Sequence, residues 1–210
     1  MFTPLLHGVE VTLQVMACSA VAALLLSFTA GLCRLSKWAW VRMAAAVYVE
    51  FFRGTSLLVQ MFWLFFALPI LGIELEPMTT GVLALGLNYG AYGSEIVRSS
   101  IQAIPKGQTE AAIALNLTSF QRMRSVILPQ AFTLMLPAFG NLLIELLKGT
   151  SLVSLITLSD LTFTGMLMRT ANIARTPEIL GLILVIYFVL AYSLTLVVRW
   201  LERRVSAGRV

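Results

Sequence analysis

Long apolar stretches alternate with short polar connections along the chain, and this alternation predicts membrane-spanning helices. A helix needs roughly twenty residues to cross a hydrocarbon core of about 30 Å. Five stretches meet that length: residues 9–33, 48–71, 78–101, 131–155 and 179–200. Backbone polar groups in lipid must be satisfied within their own segment, so each stretch is predicted to be helical. The expected fold is all-α, with about five transmembrane helices.

The longest polar interruption, residues 98–130, is predicted to lie in water. Its ionised side chains would each cost several kcal/mol in hydrocarbon; they are Arg98, Lys106, Glu110, Arg122 and Arg124. Thr109 is a plausible N-cap, residues 110–117 are rich in alanine, and Pro129 stops the next turn. The pattern predicts a short helix outside the bilayer, whose small apolar surface is covered by another protein.

Composition supports the membrane interpretation. Of 210 residues, 59% are hydrophobic and 12% are charged, against roughly 25% charged in soluble domains. The formal net charge of +5 does not indicate nucleic-acid binding, because the basic residues lie between apolar stretches. Cys18 and Cys33 share one stretch, so neither a disulfide framework nor a metal site is expected. No phosphate-binding loop or catalytic constellation is present in the sequence, so no enzymatic activity or bound cofactor is expected.

Lysine and arginine are distributed unevenly between the two sides. Three connections carry most of them: Arg34, Lys37, Arg42 and Arg53; Arg98, Lys106, Arg122 and Arg124; and Arg199, Arg203, Arg204 and Arg209. The opposite side has Arg169 and Arg175 with four acidic residues. The positive-inside rule therefore predicts an outer N-terminus, a cytoplasmic C-terminus and a cytoplasmic 98–130 loop.

Several motifs resemble one known family. The EAA of residues 110–112 and the ILP of residues 127–129 are similar to the EAA loop of permease subunits of ATP-binding-cassette (ABC) importers. The segments IPKGQTEAA, LPQAF and YVEFFRGTSLLVQ, with the pattern NxGAYxxE, resemble the polar amino acid permeases. The resemblance implies a single type I permease domain over residues 1–210, in the bacterial cytoplasmic (inner) membrane, with a coupling helix in a loop at about 105–130.

The resemblance also implies partners. They are cytoplasmic subunits that bind the ATP and offer a groove to the coupling helix, a second permease subunit, identical or related, and an extracytoplasmic solute-binding protein. The coupling positions are Gly107, Glu110, Ala111, Ala112, Asn116 and Pro129. Asn116 stands where the family has glycine, and we expect it to adopt the left-handed conformation that ends the helix.

Polar residues inside the stretches are candidates for the substrate path: Asn88, Tyr92, Glu95, Glu145, Lys148 and Asp160. An intramembrane acid such as Glu95 indicates function, although a structural bond to Arg98 explains it equally well. Glu145 and Lys148 are three residues apart and are predicted to pair on one helical face. Asp160 fits either the substrate ammonium group, as the resemblance implies, or a surface loop.

The second stretch departs from the family at one position. Ser56 replaces the usual proline, so the helix is expected to continue through it. Glu50 and Arg53 are expected to form an ion pair, in preference to a gating role, and Gln60 should face protein. In the third stretch, four glycines including Gly90 predict close helix packing.

The predicted function is therefore a permease subunit for a polar amino acid or a similar zwitterion. Gly149, where the family has aspartate, hints at a specialised branch such as compatible solutes like ectoine. The alternative is a stand-alone proton- or ion-coupled carrier or channel that uses Glu95 and the Glu145/Lys148 pair. That alternative leaves the EAA loop unexplained. Homodimer and heterodimer remain equally open.

Overall fold

The computed structural model describes the backbone of residues 2–206 and the side chains of residues 3–204, and this part is almost entirely helical. The α-helices are α1 (Phe2–Cys33), α2 (Ala39–Gly54), α3 (Leu57–Phe62), α4 (Pro77–Gln102), α5 (Lys106–Ala114), α6 (Ser119–Arg122), α7 (Leu128–Gly149), α8 (Leu161–Ala171) and α9 (Thr176–Ser206). Residues 63–71 extend α3 as π and 3₁₀ turns, a π turn joins α6 to α7, and 3₁₀ turns follow α7 and precede α9. Residue 1, residues 207–210 and with them Arg209 lie outside the described part.

Three helical segments of the described residues are long and apolar enough to cross a membrane: Thr3–Cys33, Ser119–Ile156 and Ile173–Arg204. The bent pair Ala39–Gly54 and Leu57–Leu71 makes a fourth if it is counted as one span. Helix α4 has 26 residues and is about 39 Å long at 1.5 Å per residue. It is less apolar than the other spans because Thr80, Asn88 and Ser94 are buried against protein, where a helix need not present a lipid-compatible surface.

Helices α1 and α4 pack so closely that small residues are required between them. A Cβ atom added at Gly93 would lie 2.0 Å from the Ser27 Oγ, and one at Gly90 would lie 2.7 Å from the Leu26 Cβ. The Ser27 hydroxyl donates hydrogen bonds to the carbonyls of Ala23 and Gly90, at 2.6 and 3.3 Å. The expected close approach at the glycines of α4 is confirmed.

The second stretch is not one helix, and this prediction was wrong. Helix α2 ends at Gly54, Thr55 and Ser56 are extended, and α3 begins at Leu57. The segments on either side of this break meet at 102°. Serine at position 56 therefore does not restore a continuous helix, because tertiary contacts described below satisfy the backbone of the break.

Candidate transport path and coupling surface

Helix α7 carries a polar face inside a segment that is apolar enough to span a membrane. Asn141, Glu145 and Lys148 recur at helical spacing and are all exposed, while Leu142, Leu146 and Leu147 between them are buried. Glu145 and Lys148 do not pair as predicted, since no ion pair within 4.0 Å joins them in the described structure. Both charges remain available to groups outside this chain.

Tyr89 of α4 lies directly behind this face. Its hydroxyl donates a hydrogen bond to the Glu145 carbonyl at 2.9 Å. A Cβ atom at Gly149 would lie 2.6 Å from the same hydroxyl. Gly149, which stands where the family has aspartate, therefore leaves room for the Tyr89 hydroxyl. It is the last residue of α7.

Two buried amides close the break between α2 and α3. Asn88 donates hydrogen bonds to the Phe52 carbonyl at 2.9 Å and to the Gln60 Oε1 at 3.1 Å. Gln60 in turn donates to the Phe52 carbonyl at 3.0 Å and to the Thr55 Oγ1 at 2.7 Å. Gln60 faces protein, as predicted, and is 8% exposed. Asn88 was predicted to line the substrate path. In the structure its amide instead bonds the backbone at the break between α2 and α3, whose carbonyls would otherwise be unsatisfied.

Glu95 is the centre of a cluster of charges. Its carboxylate accepts hydrogen bonds from Arg98, as the structural alternative predicted, and from Arg34 at 2.5 Å. Arg53 lies 4.0 Å away and stacks over the Tyr92 ring at 5.3 Å. Arg53 thus turns to Glu95 and Tyr92, and the predicted ion pair with Glu50 is not formed in the described structure. The half-buried Glu95 joins the ends of α1, α2 and α4.

Asp160 is fully buried and caps helix α8. Its carboxylate accepts hydrogen bonds from the Phe163 amide at 2.8 Å and from the Tyr187 hydroxyl at 3.4 Å. Burial raises the pKa of Asp160 above its ordinary value, and these hydrogen bonds oppose the shift. The exposed surface loop considered as an alternative for Asp160 is wrong.

The coupling loop is helical, with boundaries that differ from the prediction. Helix α5 begins at Lys106 behind Pro105, so Thr109 lies inside the helix and is not its N-cap. The helix ends where expected, because Asn116 has a φ of 54°. The amides of Asn116 and Leu117 donate to the carbonyls of Ile113 and Ala112, at 2.8 and 3.0 Å, which is a Schellman ending.

One side of the coupling loop is buried and the other is exposed. Ala112 is 2% exposed, whereas Gly107, Glu110 and Ala111 are exposed. Pro129 follows the first residue of α7. Three large apolar side chains of the loop also face outward: Ile113, Leu115 and Phe120, 55%, 74% and 71% exposed.

Three functional candidates were missed by sequence reasoning. Arg34 entered the sequence analysis only through the orientation of the chain, and Arg53 was paired with Glu50. Tyr89 was not considered. Each acts on a residue far away in sequence, such as Glu95 for Arg34 and Glu145 for Tyr89, and no local spacing pattern reports such contacts. Their signal was limited to polarity at the end of, or inside, an apolar stretch.

The described residues form a polytopic helical bundle that has a polar face within a membrane-spanning segment and an exposed helical loop of the EAA type. This is the architecture of a permease subunit of an ABC importer. Residues 23–207 match the model of the family described as binding-protein-dependent transport system inner membrane component. The chain belongs to this family. In such transporters ATP is hydrolysed by separate ATP-binding subunits, so the chain is a membrane-embedded transport subunit that works with them and not an enzyme itself.

Individual relatives agree with this assignment. The chain is 48% identical to a probable amino-acid ABC transporter permease protein, y4tF of Sinorhizobium fredii, over 98% of this chain and 89% of the relative. It is 37% identical to the L-cystine transport system permease protein TcyB of Bacillus subtilis, over 98% and 88%. It superimposes with a TM-score of 0.90 and 36% identity on a crystal structure of an amino acid ABC transporter with histidines, covering 97% and 95% of the two chains.

Proposed function

We propose that this permease imports a polar amino acid or a similar zwitterion along a path formed by α7 and a second permease subunit. The exposed polar face of Asn141, Glu145 and Lys148 carries the proposal. The relatives are named as permeases for amino acids and for L-cystine, which supports the solute class.

The polar face calls for a second subunit because it is incompatible with lipid. An aspartate, lysine or arginine at the centre of a membrane helix costs about 2.5–3.5 kcal/mol on insertion scales. Glu145 and Lys148 have no partner of opposite charge within 4.0 Å in the described part of the chain. Two such faces, from identical or related subunits, would line a polar path, and one carboxylate and one ammonium group suit a solute that carries both charges.

The coupling loop supports a contact with the ATP-binding subunit. Ile113, Leu115 and Phe120 are large apolar side chains exposed on a loop rich in cations, a combination typical of a surface that another protein covers. The buried Ala112 anchors α5 to the permease. Gln130 of α7 donates a hydrogen bond to Gln108 of α5 at 3.1 Å. Movement of α5 would therefore be transmitted to α7.

The orientation follows from the lysine and arginine distribution. With the N-terminus outside and the C-terminus inside, α5 faces the cytoplasmic ATP-binding subunits, and the connection at α8 faces an extracytoplasmic solute-binding protein. Binding of ATP would bring the permease subunits together, and hydrolysis would let the path open to the other side. No residue of this chain then needs to bind ATP.

The test is ATP hydrolysis and amino acid uptake in proteoliposomes that contain the permease with its ATP-binding subunits, with and without loaded binding protein. We expect Glu110→Arg to abolish stimulation by the binding protein, because it reverses an exposed charge on α5. Glu202→Arg is the matched control, since Glu202 lies in α9 on the same predicted side of the membrane and outside the coupling loop. Glu145→Gln should lower uptake while the subunits still associate.

Two results would contradict the proposal. If the ATP-binding subunits do not associate with the wild-type permease and a proton gradient alone drives uptake, the chain is a stand-alone carrier. If Glu145→Gln and Lys148→Gln both leave the rate and selectivity of uptake unchanged, the polar face of α7 is not the path, although the coupling assignment would stand.

A further inference from the structure

We propose that Arg34, Arg53 and Arg98 form a binding site for the phosphate headgroup of an anionic phospholipid. The site lies where α1, α2 and α4 end together, and it is separate from the polar face of α7. The proposal depends neither on the transported solute nor on which side of the membrane the site faces.

The cluster has more positive than negative charge. Three guanidinium groups surround the one carboxylate of Glu95, which bonds Arg34 and Arg98 directly and lies 4.0 Å from Arg53. Arg98 also donates to the neutral Gln102 amide at 3.0 Å. Glu50 does not offset the excess, because it makes no ion pair within 4.0 Å with Arg53 in the described structure. Two positive charges are therefore left without a counter-charge.

The cluster lies near the ends of α1 and α4, from which its arginines can reach lipid headgroups. Arg34 directly follows the last residue of α1, and Glu95 lies seven residues before the end of α4. Seven residues correspond to about 10 Å along a helix, a distance that an arginine side chain can largely bridge by extending towards the interface.

Helix α2 is amphipathic, with an exposed apolar face and a basic face. Trp40, Met43, Val47 and Phe51 form an exposed apolar stripe, with Trp40 79% exposed. Arg42 and Arg53, eleven residues or three turns apart, lie on the opposite face. A helix with an apolar aromatic face and a basic face can contact acyl chains with the first and anionic headgroups with the second.

Arg53 remains accessible to such a ligand. Its side chain is 41% exposed, compared with 17% for Arg34 and 29% for Arg98. Guanidinium groups bind phosphate oxygens through two parallel hydrogen bonds. A phosphate in contact with Arg53 would also neutralise the excess charge that Glu95 leaves on the cluster.

The test uses the complete transporter complex purified in a neutral detergent. Binding of short-chain phosphatidylglycerol and of phosphatidylcholine of the same chain length is measured by native mass spectrometry. We expect tighter binding of phosphatidylglycerol, and about fivefold weaker binding of it in Arg53→Gln. Arg203→Gln is the matched control, because Arg203 is an exposed cation in the last turn of α9. Arg53→Lys keeps the charge and should retain much of the preference.

Three outcomes would overturn the proposal. They are equal binding of the two lipids, an equal loss in Arg53→Gln and Arg203→Gln, and displacement of phosphatidylglycerol by millimolar inorganic phosphate, which would indicate a site for the free ion. The melting temperature of Arg53→Gln in phosphatidylcholine checks its folding. If this variant does not fold, Arg53→Lys takes its place: a partial loss of the preference in Arg53→Lys with Arg203→Gln unchanged supports the site, because lysine cannot make the two parallel hydrogen bonds of a guanidinium, and no loss in Arg53→Lys overturns it.

Discussion

Replacing Ser56 by proline is expected to stabilise the protein, which is the opposite of its effect inside a helix. Ser56 has φ −71° and ψ 130°, and its side chain makes no capping hydrogen bond. Proline fixes φ near −65°, so the ring fits the existing backbone. Thr55, with φ −116° and ψ 155°, already has the conformation that proline imposes on the preceding residue.

The size of the effect follows from the unfolded chain. A proline that fits the native backbone stabilises by about 0.4–1 kcal/mol, because it reduces the freedom lost on folding. In a continuous helix through position 56, the same substitution would cost about 3 kcal/mol or more. The observed break and a continuous helix therefore predict changes in the free energy of unfolding that have opposite signs. The difference between these two changes is larger than the error of the measurement.

The free energy of unfolding would be measured by titration of the purified permease with a denaturing detergent, followed by circular dichroism. Ser56→Ala is the matched control: it removes the hydroxyl without restricting φ and should change the stability by less than about 0.5 kcal/mol. Destabilisation of several kcal/mol by Ser56→Pro, with Ser56→Ala neutral, would refute the broken helix.

Three further predictions concern the buried amides at the α2–α3 break, the end of α5 and the contact at Gly149. Asn88→Ala and Gln60→Ala should each destabilise by about 0.6–1.7 kcal/mol, and the double variant by less than their sum, because the two amides share one network; additive losses would contradict this. Asn116→Gly should keep or slightly raise stability, whereas Asn116→Val should lower it by about 1–2 kcal/mol because of its left-handed backbone, as measured by thermal unfolding. Gly149→Ala should displace the Tyr89 hydroxyl and cost about 1 kcal/mol, and this loss should shrink in a Tyr89→Phe background; an unchanged loss would show that the contact is not the cause.

The coupling loop could be read from the sequence because its signals are local. Charge density, alanine content and the residue at the left-handed position act within one helical turn, so the Asn116 ending was predicted correctly. The predicted start of α5 was wrong by one turn. The sequence offers Thr109 as an N-cap, whereas the helix begins directly after Pro105. The close packing at the glycines of α4 was also predictable, because glycine in a membrane helix has few other uses.

The partners of the charged and amide side chains were beyond the sequence. Local spacing suggested that Arg53 pairs with Glu50 and Glu145 with Lys148, whereas the fold brings Arg53 to Glu95 and leaves Glu145 and Lys148 apart. The break at Ser56 was missed for the same reason: Asn88, more than thirty residues away, supplies a hydrogen bond that makes a helix end possible inside the bundle.

The sequence by itself determined that this is a helical membrane protein with a coupling loop of the ABC permease type, because apolar length, charge placement and local motifs act over short distances. Only the tertiary structure decided where α2 ends, which arginines meet Glu95, and that Asp160 is buried as a cap while the charges of α7 face outward. The physical reason is that in a bundle the cost of a buried polar group depends on the partner that another helix brings to it.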